Sequence, residues 1–214
     1  MDLILEQVTI GLSSTILMQP ISLTIHAGET VTLMGPSGSG KSSLFAYIAG
    51  DLPPPLRGHG RVKLGGRDLG SLPPESRRIG RLFQDDMLFP HLTVGENLLF
   101  GMARGHRAER LTQMREALAT AGLEGFENRS PHTLSGGQRT RVALFRALLA
   151  EPHAMLLDEP FAKLDTELRA AMRSFVFRHL EARRIPSLLV THDRADSPAG
   201  GRILTIGSNG EVTA

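Results

Sequence analysis

The stretch that most constrains the fold of this 214-residue chain is GPSGSGKS, at residues 35–42. It satisfies the pattern G-x-x-x-x-G-K-[ST], and it lies between an apolar run, ETVTLMG at 29–35, and a helix-like run, SSLFAYIAG at 42–50. A glycine-rich loop between a strand and a helix lets successive backbone N–H groups converge on phosphate oxygens. We therefore predict a phosphate-binding loop at the end of a buried strand, followed by a helix that stops at Gly50.

The residue types in this loop have separate chemical uses. The lysine can reach the β- and γ-phosphates of a nucleotide, and the serine hydroxyl after it can bind Mg²⁺. The alternative is a glycine-rich turn with a solvated lysine, which is disfavoured because the pattern and its context agree. We predict that a nucleotide is held by Gly35, Pro36, Ser37, Gly38, Ser39, Gly40, Lys41, Ser42 and Ser43.

A second apolar run, AMLLDEP at 154–160, ends in two carboxylates. Asp158 would come at the end of a buried strand, where it is suited to hold Mg²⁺ through water. Glu159 follows it and is suited to orient or deprotonate an attacking water. Taken alone, Asp-Glu after a strand is usually a turn or a helix cap. With a phosphate-binding loop in the same chain, it becomes the expected metal and base pair.

Gln84 ends the run GRLFQ, and His192 ends the run LLVTH, so both fall at predicted strand ends. The amide of Gln84 could contact Mg²⁺ or the attacking water. The imidazole of His192 could donate a hydrogen bond to a γ-phosphate. A lone glutamine is more often an exposed polar residue, and a lone strand-end histidine is more often a structural donor. The residues alone leave both interpretations open.

A second glycine-containing stretch, LSGGQ at 134–138, leads directly into the apolar-periodic run RTRVALFRALLAE. A serine and two glycines at a helix start leave backbone N–H groups ready to hold an anion. Further along, Asp165 precedes a long helix and is predicted to cap it. One chain therefore carries two helix starts that are suited to phosphate.

The predicted elements run in the order strand, phosphate-binding loop, helix, helical stretch, and then strand–helix–strand. This order predicts a mainly parallel sheet flanked by helices, with ligands at its carboxyl edge. The last residues, GRILTIGSNGEVTA, suggest two short strands joined by an Asn-Gly turn. We predict one domain, 1–214, with a nucleotide-binding core formed by 1–86 and 151–214 and a helical subdomain at 87–150.

The composition excludes several classes of protein. The content of 41% hydrophobic residues supports a packed core. The net charge is +2, the basic residues are scattered and aromatics make up 5%, so we expect no nucleic-acid partner. The absence of cysteine excludes disulfides and thiolate metal sites. Residues 1–10 carry no leader features, and no apolar run approaches the ~20 residues of a membrane span. We expect a soluble, cytoplasmic chain.

With GPSGSGKS, LFQ, LSGGQ, LLDEPF, LD and THD in this order, the chain resembles the nucleotide-binding subunit of ATP-binding cassette transporters. The resemblance covers almost the whole chain. It implies an α/β fold: a P-loop NTPase (RecA-like) core with a mainly parallel sheet, a small antiparallel β part and an inserted helical subdomain. It also implies a Mg²⁺-dependent ATPase whose catalytic residues are Glu159, His192 and Gln84. The metal would be held by Ser42, Gln84 and Asp158.

In that family, two subunits pack head to tail, and the signature segment of one covers the γ-phosphate held by the other. The resemblance therefore assigns the second helix start to the partner's ATP. It implies a homodimer that ATP closes and hydrolysis reopens, with Asp165 in the D-loop and His192 as the switch histidine. The signature residues are Leu134, Ser135, Gly136, Gly137 and Gln138.

The finer resemblance is to importers of the polyamine, ferric-ion, thiamine and sulfate kind, and it rests on 82–101 and DEPFAKLD at 158–165. Relatives in lipoprotein release and cell division usually carry threonine where Phe161 stands. The importer class implies membrane permease subunits, a solute-binding protein acting indirectly, and a place on the cytoplasmic face of the membrane. The family receives a helix of the permease in the segment after Gln84.

Three alternatives remain beside the importer. One is a non-transport cassette ATPase, although such proteins typically carry long coiled-coil insertions or two cassettes in one chain. Another is an exporter or lipoprotein-release ATPase. The third is a regulatory nucleotide-binding module, which would be expected to lose Glu159 or His192.

The chain departs from its relatives at two places. They place an aromatic ring ahead of the second strand to stack on adenine, whereas Leu12 stands there and no aromatic residue precedes Phe45. We predict that Leu12 faces adenine without offering a π-face. The second departure is THDRADSPAGGRI at 191–203, which has a proline and paired glycines where relatives continue a helix.

Overall fold

The computed structural model describes residues 1–13 and 15–213 of the chain. Ala214, the last residue of the predicted domain, lies outside the described residues. The chain divides into two compact units, and each is described separately. The sheet unit comprises Met1–Arg81, His153–Glu159 and Phe175–Ala214, and the helical unit comprises Leu82–Pro152 and Pro160–Ser174. The domain boundaries at 86, 87, 150 and 151 stay a prediction.

The smaller of two β-sheets contains β1 (Leu3–Gly11), β2 (Ile16–Ile25), β4 (Arg57–Leu64) and β5 (Arg67–Asp68). All its paired strands are antiparallel, in the order β2-β1-β4-β5. This sheet confirms the small antiparallel part of the expected fold. Strand β1 was not predicted from the sequence.

The larger sheet has six strands, which are β3 (Thr30–Met34), β6 (Ile79–Leu82), β7 (Ala154–Asp158), β8 (Ser187–Val190), β9 (Ile203–Ile206) and β10 (Val212–Thr213). Their order is β10-β9-β3-β8-β7-β6. Strand β3 pairs in parallel with β8 and β9, and β7 pairs in parallel with β8. The expected mainly parallel sheet is therefore confirmed. Strands β9 and β10 form the predicted C-terminal antiparallel pair.

The apolar runs at the centre of this sheet are strands because they are buried along their whole length. Every residue of β7 and β8 is buried, and so are the first four residues of β3. Continuous apolar runs are typical of parallel strands that are covered on both faces. Since β3, β7 and β8 run in the same direction, their carboxyl ends share one edge, which carries Gly35, Asp158 and the segment leading to His192.

Helix α1 (Lys41–Ala49) follows β3 after the glycine loop. Leu44, Phe45 and Ile48 are buried and anchor the helix in the core. The helix ends at Gly50, whose φ of 89° lies in the left-handed region, where glycine is favoured. The N–H of Gly50 donates to the carbonyl oxygens of Ala46 and Tyr47. The predicted helix and its stop are both confirmed.

The helical unit contains α2 (Val94–Gly101), α3 (Arg107–Thr120), α4 (Gly136–Leu149) and the start of α5 (Thr166–Ala182), whose second half belongs to the sheet unit. Met114 and Leu118 of α3 are buried. After β8, only one short 3-10 turn, Arg194–Asp196, follows His192 among the described residues up to β9. No helix within residues 1–13 and 15–213 is both long and apolar enough to cross a membrane.

Candidate functional site

The ammonium group of Lys41 lies against the phosphate-binding loop. Its Nζ donates to the carbonyl oxygens of Gly35 and Pro36 at 2.9 and 2.7 Å, and it lies 3.4 Å from Oγ of Ser39. These acceptors are neutral. A triphosphate would offer charged oxygens, to which an ammonium forms shorter and stronger hydrogen bonds. The loop therefore holds a cation where the sequence predicts that phosphate binds.

The backbone of the loop has the conformation that only glycine adopts readily. Gly38 and Gly40 have φ values of 82° and 90°. At Gly35 a Cβ would lie 2.7 Å from the carbonyl oxygen of Ile206, so size also excludes a side chain there. Gly40 is the N-cap of α1, and no side chain caps that helix. The N–H groups at the start of α1 are therefore left for an anion.

Ser42 and Asp158 form a pair of oxygen ligands beside the loop. The hydroxyl of Ser42 donates to Oδ2 of Asp158 at 3.3 Å. Burial raises the pKa of the Asp158 carboxyl, and the hydrogen bond from Ser42 opposes this shift. Among the described residues, no group of three or more His, Cys, Asp and Glu side chains could hold a metal ion. The pair fits Mg²⁺, which commonly binds one or two protein oxygens and completes its shell with water and phosphate.

Glu159 and His192 are in direct contact at the same sheet edge. Nδ1 of His192 lies 2.9 Å from Oε1 of Glu159, and the N–H of Glu159 donates to the carbonyl oxygen of Val190. The side chain of Glu159 is 17% exposed, whereas that of His192 is 74% exposed. With Glu159 ionised, Nδ1 donates, so Nε2 also donates only when the ring is protonated.

The other oxygen of Glu159 marks this carboxylate as unusual. Oε2 is buried and has no hydrogen-bond partner among the described residues. A buried polar atom without a partner is costly, so a group that donates to it, such as a water, would be bound favourably. The backbone of Glu159 also has a φ of 49°, which is uncommon for a residue other than glycine and is often found at functional sites.

Two residues of the sheet unit had no signal in the sequence pattern. Arg81, in β6, donates from Nη1 to both carboxylate oxygens of Asp51 at 3.0 Å, and its charge opposes the rise that burial causes in the pKa of Asp158. Ile16, at the start of β2, is 59% exposed. Leu12, which lies between β1 and β2, is 42% exposed. The N–H of Leu12 donates to the carbonyl oxygen of Thr15 at 2.8 Å.

The signature segment begins α4 with a capping box. Oγ of Ser135 accepts from the N–H of Gln138 at 3.3 Å, and the side chain of Gln138 accepts from the N–H of Ser135 at 2.9 Å. Between them, the N–H groups of Gly136 and Gly137 have no hydrogen bond among the described residues. Leu134, which precedes the cap, is buried. Two backbone donors are thus available at this helix start.

The two glycines of the signature differ in the space around them. A Cβ at Gly137 would lie 2.7 Å from the carbonyl oxygen of Lys163, whereas a Cβ at Gly136 would meet nothing closer than 3.9 Å. Neither glycine has a positive φ. Gly137 is therefore required by the close approach of the backbone at Lys163, and Gly136 has no such requirement.

Gln84 and Asp165 also belong to the helical unit. Gln84 is exposed, lies two residues beyond the end of β6, and accepts at its carbonyl oxygen from Nζ of Lys163 at 3.0 Å. Oδ1 of Asp165 accepts from the N–H of Leu168 at 3.1 Å, so Asp165 caps α5 as predicted. The phosphate-binding loop, Asp158, Glu159 and His192 all lie in the sheet unit.

Comparison with known proteins identifies relatives along nearly the whole chain. The family described as "ABC transporter" matches residues 18–162. The chain is 44% identical over 203 residues to the "Uncharacterized ABC transporter ATP-binding protein YnjD" of Escherichia coli K12, which covers 94% of each chain. It is 33% identical to the solved ATP-binding cassette MJ0796 in a dimer bound to ADP and Pi. That match covers 99% of this chain and 97% of the other, with a TM-score of 0.85.

Other relatives are named as importers. The chain is 46% identical over 184 residues to the "Fe(3+) ions import ATP-binding protein FbpC" of Mesorhizobium japonicum, covering 83% of this chain and 49% of the relative. It is 41% identical over 179 residues to the "Sulfate/thiosulfate import ATP-binding protein CysA" of Mycobacterium bovis, covering 83% and 50%. The chain thus spans about half the length of these two relatives.

Proposed function

The chain belongs to the ABC transporter family as an ATP-binding cassette ATPase, and on that premise we propose that it energises the import of a solute through a membrane partner. Import is supported by the names of FbpC and CysA, which are import ATP-binding proteins. These relatives disfavour an exporter, a lipoprotein-release ATPase and a non-transport cassette. The retention of Glu159 and His192 in direct contact disfavours a regulatory module without turnover.

ATP would be bound by the loop from Gly35 to Ser43. The N–H groups of the loop and of the α1 start donate to its phosphate oxygens, and Lys41 exchanges carbonyl acceptors for charged ones. Ser42 and Asp158 would hold Mg²⁺, and Gln84 is proposed as a further ligand. When bound, this ion neutralises charge on the β- and γ-phosphates.

The observation that carries the proposed hydrolysis is the buried, unpartnered Oε2 of Glu159. A water that donates to this oxygen is oriented by it and can lose its proton to it. The contact of Oε1 with His192 and the bond from the Glu159 N–H to Val190 fix the direction of the carboxylate. His192 is proposed to contact the γ-phosphate, for which its 74% exposed side chain is accessible.

We propose that the second helix start binds the ATP of a second copy of the chain. The unbonded N–H groups of Gly136 and Gly137 lie at the N-terminus of α4, where N–H groups point out of the helix and favour an anion. Ser135 adds a hydroxyl beside them. A dimer is supported by the solved cassette MJ0796, whose two matching structures are both dimeric. Asp165 would belong to the same dimer interface.

The proposed partners follow from the importer assignment. They are membrane permease subunits and, indirectly, a solute-binding protein outside the membrane, so the chain would lie on the cytoplasmic face. No described helix could itself cross the membrane. Leu12 is proposed to offer an apolar, partly exposed surface to adenine.

Replacing Glu159 with glutamine tests the proposed hydrolysis. Glu159→Gln keeps the shape of the side chain and removes the base, so phosphate release should fall by about 10²–10⁴-fold. ATP binding should persist, and an ATP-bound dimer should accumulate. Glu75→Gln, at an exposed glutamate in the turn Pro74–Ser76, is the matched control and should retain wild-type turnover. Wild-type turnover in Glu159→Gln would exclude Glu159 as the base.

Co-purification of a membrane protein with the chain tests the proposed role in import. When the chain is purified from its own membranes under mild detergent, a polytopic membrane protein should co-purify in a fixed ratio. Recovery only with other soluble proteins would contradict the importer assignment and leave the ATPase assignment intact.

A further inference from the structure

The carboxylate of Asp86 is a point of contact for three side chains of the helical unit. Oδ1 accepts from the hydroxyl of Thr140 at 2.6 Å, and Oδ2 accepts from Nε of Arg139 at 3.3 Å. Nζ of Lys163 lies 3.8 Å from Oδ1. The side chain of Asp86 is only 10% exposed, so these interactions are weakly screened by solvent. Asp86 is therefore a specific acceptor rather than a solvated surface charge.

Each cation around Asp86 is bonded to a functional segment. Lys163 donates to the carbonyl oxygen of Gln84 at 3.0 Å, and its own carbonyl oxygen lies 2.7 Å from the position that a Cβ of Gly137 would take. Arg139 donates from Nη1 to the carbonyl oxygen of Leu134 at 2.6 Å. Through one carboxylate, the segment of Gln84 is thus connected to Leu134, at the start of the signature, and Lys163 also approaches Gly137 closely.

Simple anchoring of the segment after Gln84 does not account for this carboxylate. Arg146 already holds the same backbone, donating to the carbonyl oxygens of Met87 at 2.9 Å and Asp86 at 3.4 Å. A buried ion pair adds little stability compared with an apolar group of similar size. What the carboxylate does provide is a directional bond to Thr140, in the second turn of α4.

We propose that Asp86 is a positioning residue that fixes Gln84 relative to the start of α4. The inference rests on the proposed function, in which Gln84 contacts the chain's own nucleotide and Ser135 contacts the partner's nucleotide. Under that assignment, Asp86 connects the two composite sites of a dimer through one chain. Loss of the connection leaves each chain able to bind ATP but reduces the dependence of one site on the other.

The test uses Thr140, because its hydroxyl can be removed and restored with little change in volume. Thr140→Val deletes the donor to Asp86, and Thr140→Ser keeps it. Thr140→Val should lower kcat for ATP hydrolysis about tenfold, as expected for a lost hydrogen bond to a charged group. KM for ATP should change less than twofold, and the Hill coefficient should fall toward one. Thr140→Ser should restore kcat and the Hill coefficient.

Asp86→Ala provides a second variant, which removes the acceptor of the same bond. It should lower kcat at least as much, because Arg139 and Lys163 also lose their contact with the carboxylate, and adding Thr140→Val should lower kcat little further, because the Thr140–Asp86 bond is already absent. Urea unfolding of each protein, with kcat measured on the folded fraction, separates positioning from stability. Additive losses, equal effects of Thr140→Val and Thr140→Ser, or an unchanged kcat and Hill coefficient would each overturn the role of Asp86. If ATP hydrolysis by the wild type did not depend on Glu159, the proposed function would be wrong, whatever the role of Asp86.

Discussion

The starts of α1 and α4 are both rich in glycine and serine, but they satisfy their backbone groups in opposite ways. The N-cap of α1 is Gly40, which has a left-handed backbone and no side chain to cap the helix. The N-cap of α4 is Ser135, which forms a reciprocal capping box with Gln138. A cation, Lys41, is the first residue of α1, whereas two glycines open α4. Among the described residues, the start of α1 has no side-chain cap, whereas the start of α4 is capped and leaves the N–H groups of Gly136 and Gly137 unbonded.

This difference indicates that the two helix starts contact phosphate in different ways. The uncapped start with its own lysine has the donors and the charge to bind a nucleotide unaided. The capped start is already stable, and it offers two N–H groups and one hydroxyl without any cation of its own in the segment 134–138. It is suited to contact phosphate that is already neutralised by another site. We therefore propose that it completes a site that another helix start has built.

The largest effects are expected from single changes that separate these roles. Lys41→Ala should reduce ATP affinity of the isolated chain by at least about tenfold, since it removes a charge-assisted hydrogen bond, and hydrolysis should be lost. Ser135→Arg should also abolish hydrolysis but leave that affinity unchanged. Titration with a fluorescent ATP analogue at low protein concentration measures the first quantity, and phosphate release measures the second. Equal loss of ATP affinity in both variants would contradict different functions for the two helix starts.

A smaller effect is expected on the stability of the α4 start. Gly137→Ala forces a Cβ toward the carbonyl oxygen of Lys163, and such overpacking destabilises by about 1–3 kcal/mol. Gly136→Ala is the matched control, because nothing lies within 3.9 Å of its Cβ. It should stabilise the chain by up to ~1 kcal/mol, since alanine loses less entropy in a helix than glycine. Urea unfolding distinguishes the two, and equal effects would show that the backbone at Lys163 moves away.

The motifs predicted the main contacts of the sheet unit because each lies at the end of a strand. Parallel strands place their carboxyl ends at one edge, so the order of the apolar runs was enough to bring Ser42 to Asp158. Strand β1 was missed for a local reason. The alternation of buried and more exposed residues along β1 shifts by one residue at Gln7. This residue has a φ of 50° and lies at a bulge between Leu5 and Val8.

No pattern in the sequence predicted the contacts that join distant segments outside the motifs. Asp86 reads as one of two acidic residues in an ordinary loop, and Thr140 as a polar residue in an amphipathic helix. Their 2.6 Å contact depends on how the loop packs on α4, which no spacing in the sequence encodes. The difference between Gly136 and Gly137 likewise depends on the approach of Lys163 from a later segment.

The smallest expected effect concerns Leu12, which is proposed to face adenine. Leucine has no π-face, so the phosphate contacts should carry most of the affinity, and discrimination between ATP and GTP should be weak. Leu12→Tyr should tighten ATP by less than the ~1–3 kcal/mol of base–aromatic stacking, because leucine already provides some contact. Ile16→Tyr is the control, at a second exposed apolar residue, the first residue of β2. If Leu12→Tyr left both nucleotide affinities unchanged, Leu12 would not face the base.

Mixing the two inactive variants, Lys41→Ala and Ser135→Arg, tests most directly whether the α4 start of one chain completes the nucleotide site at the α1 start of another chain. A heterodimer of Ser135→Arg and Lys41→Ala chains has one composite site with an intact loop and an intact signature, and one site in which both are damaged. The account predicts ATP-driven association between the two differently labelled variants, maximal near equal ratios and well above that of either variant alone. Absence of such association at every mixing ratio would contradict a site that is shared between two copies of the chain.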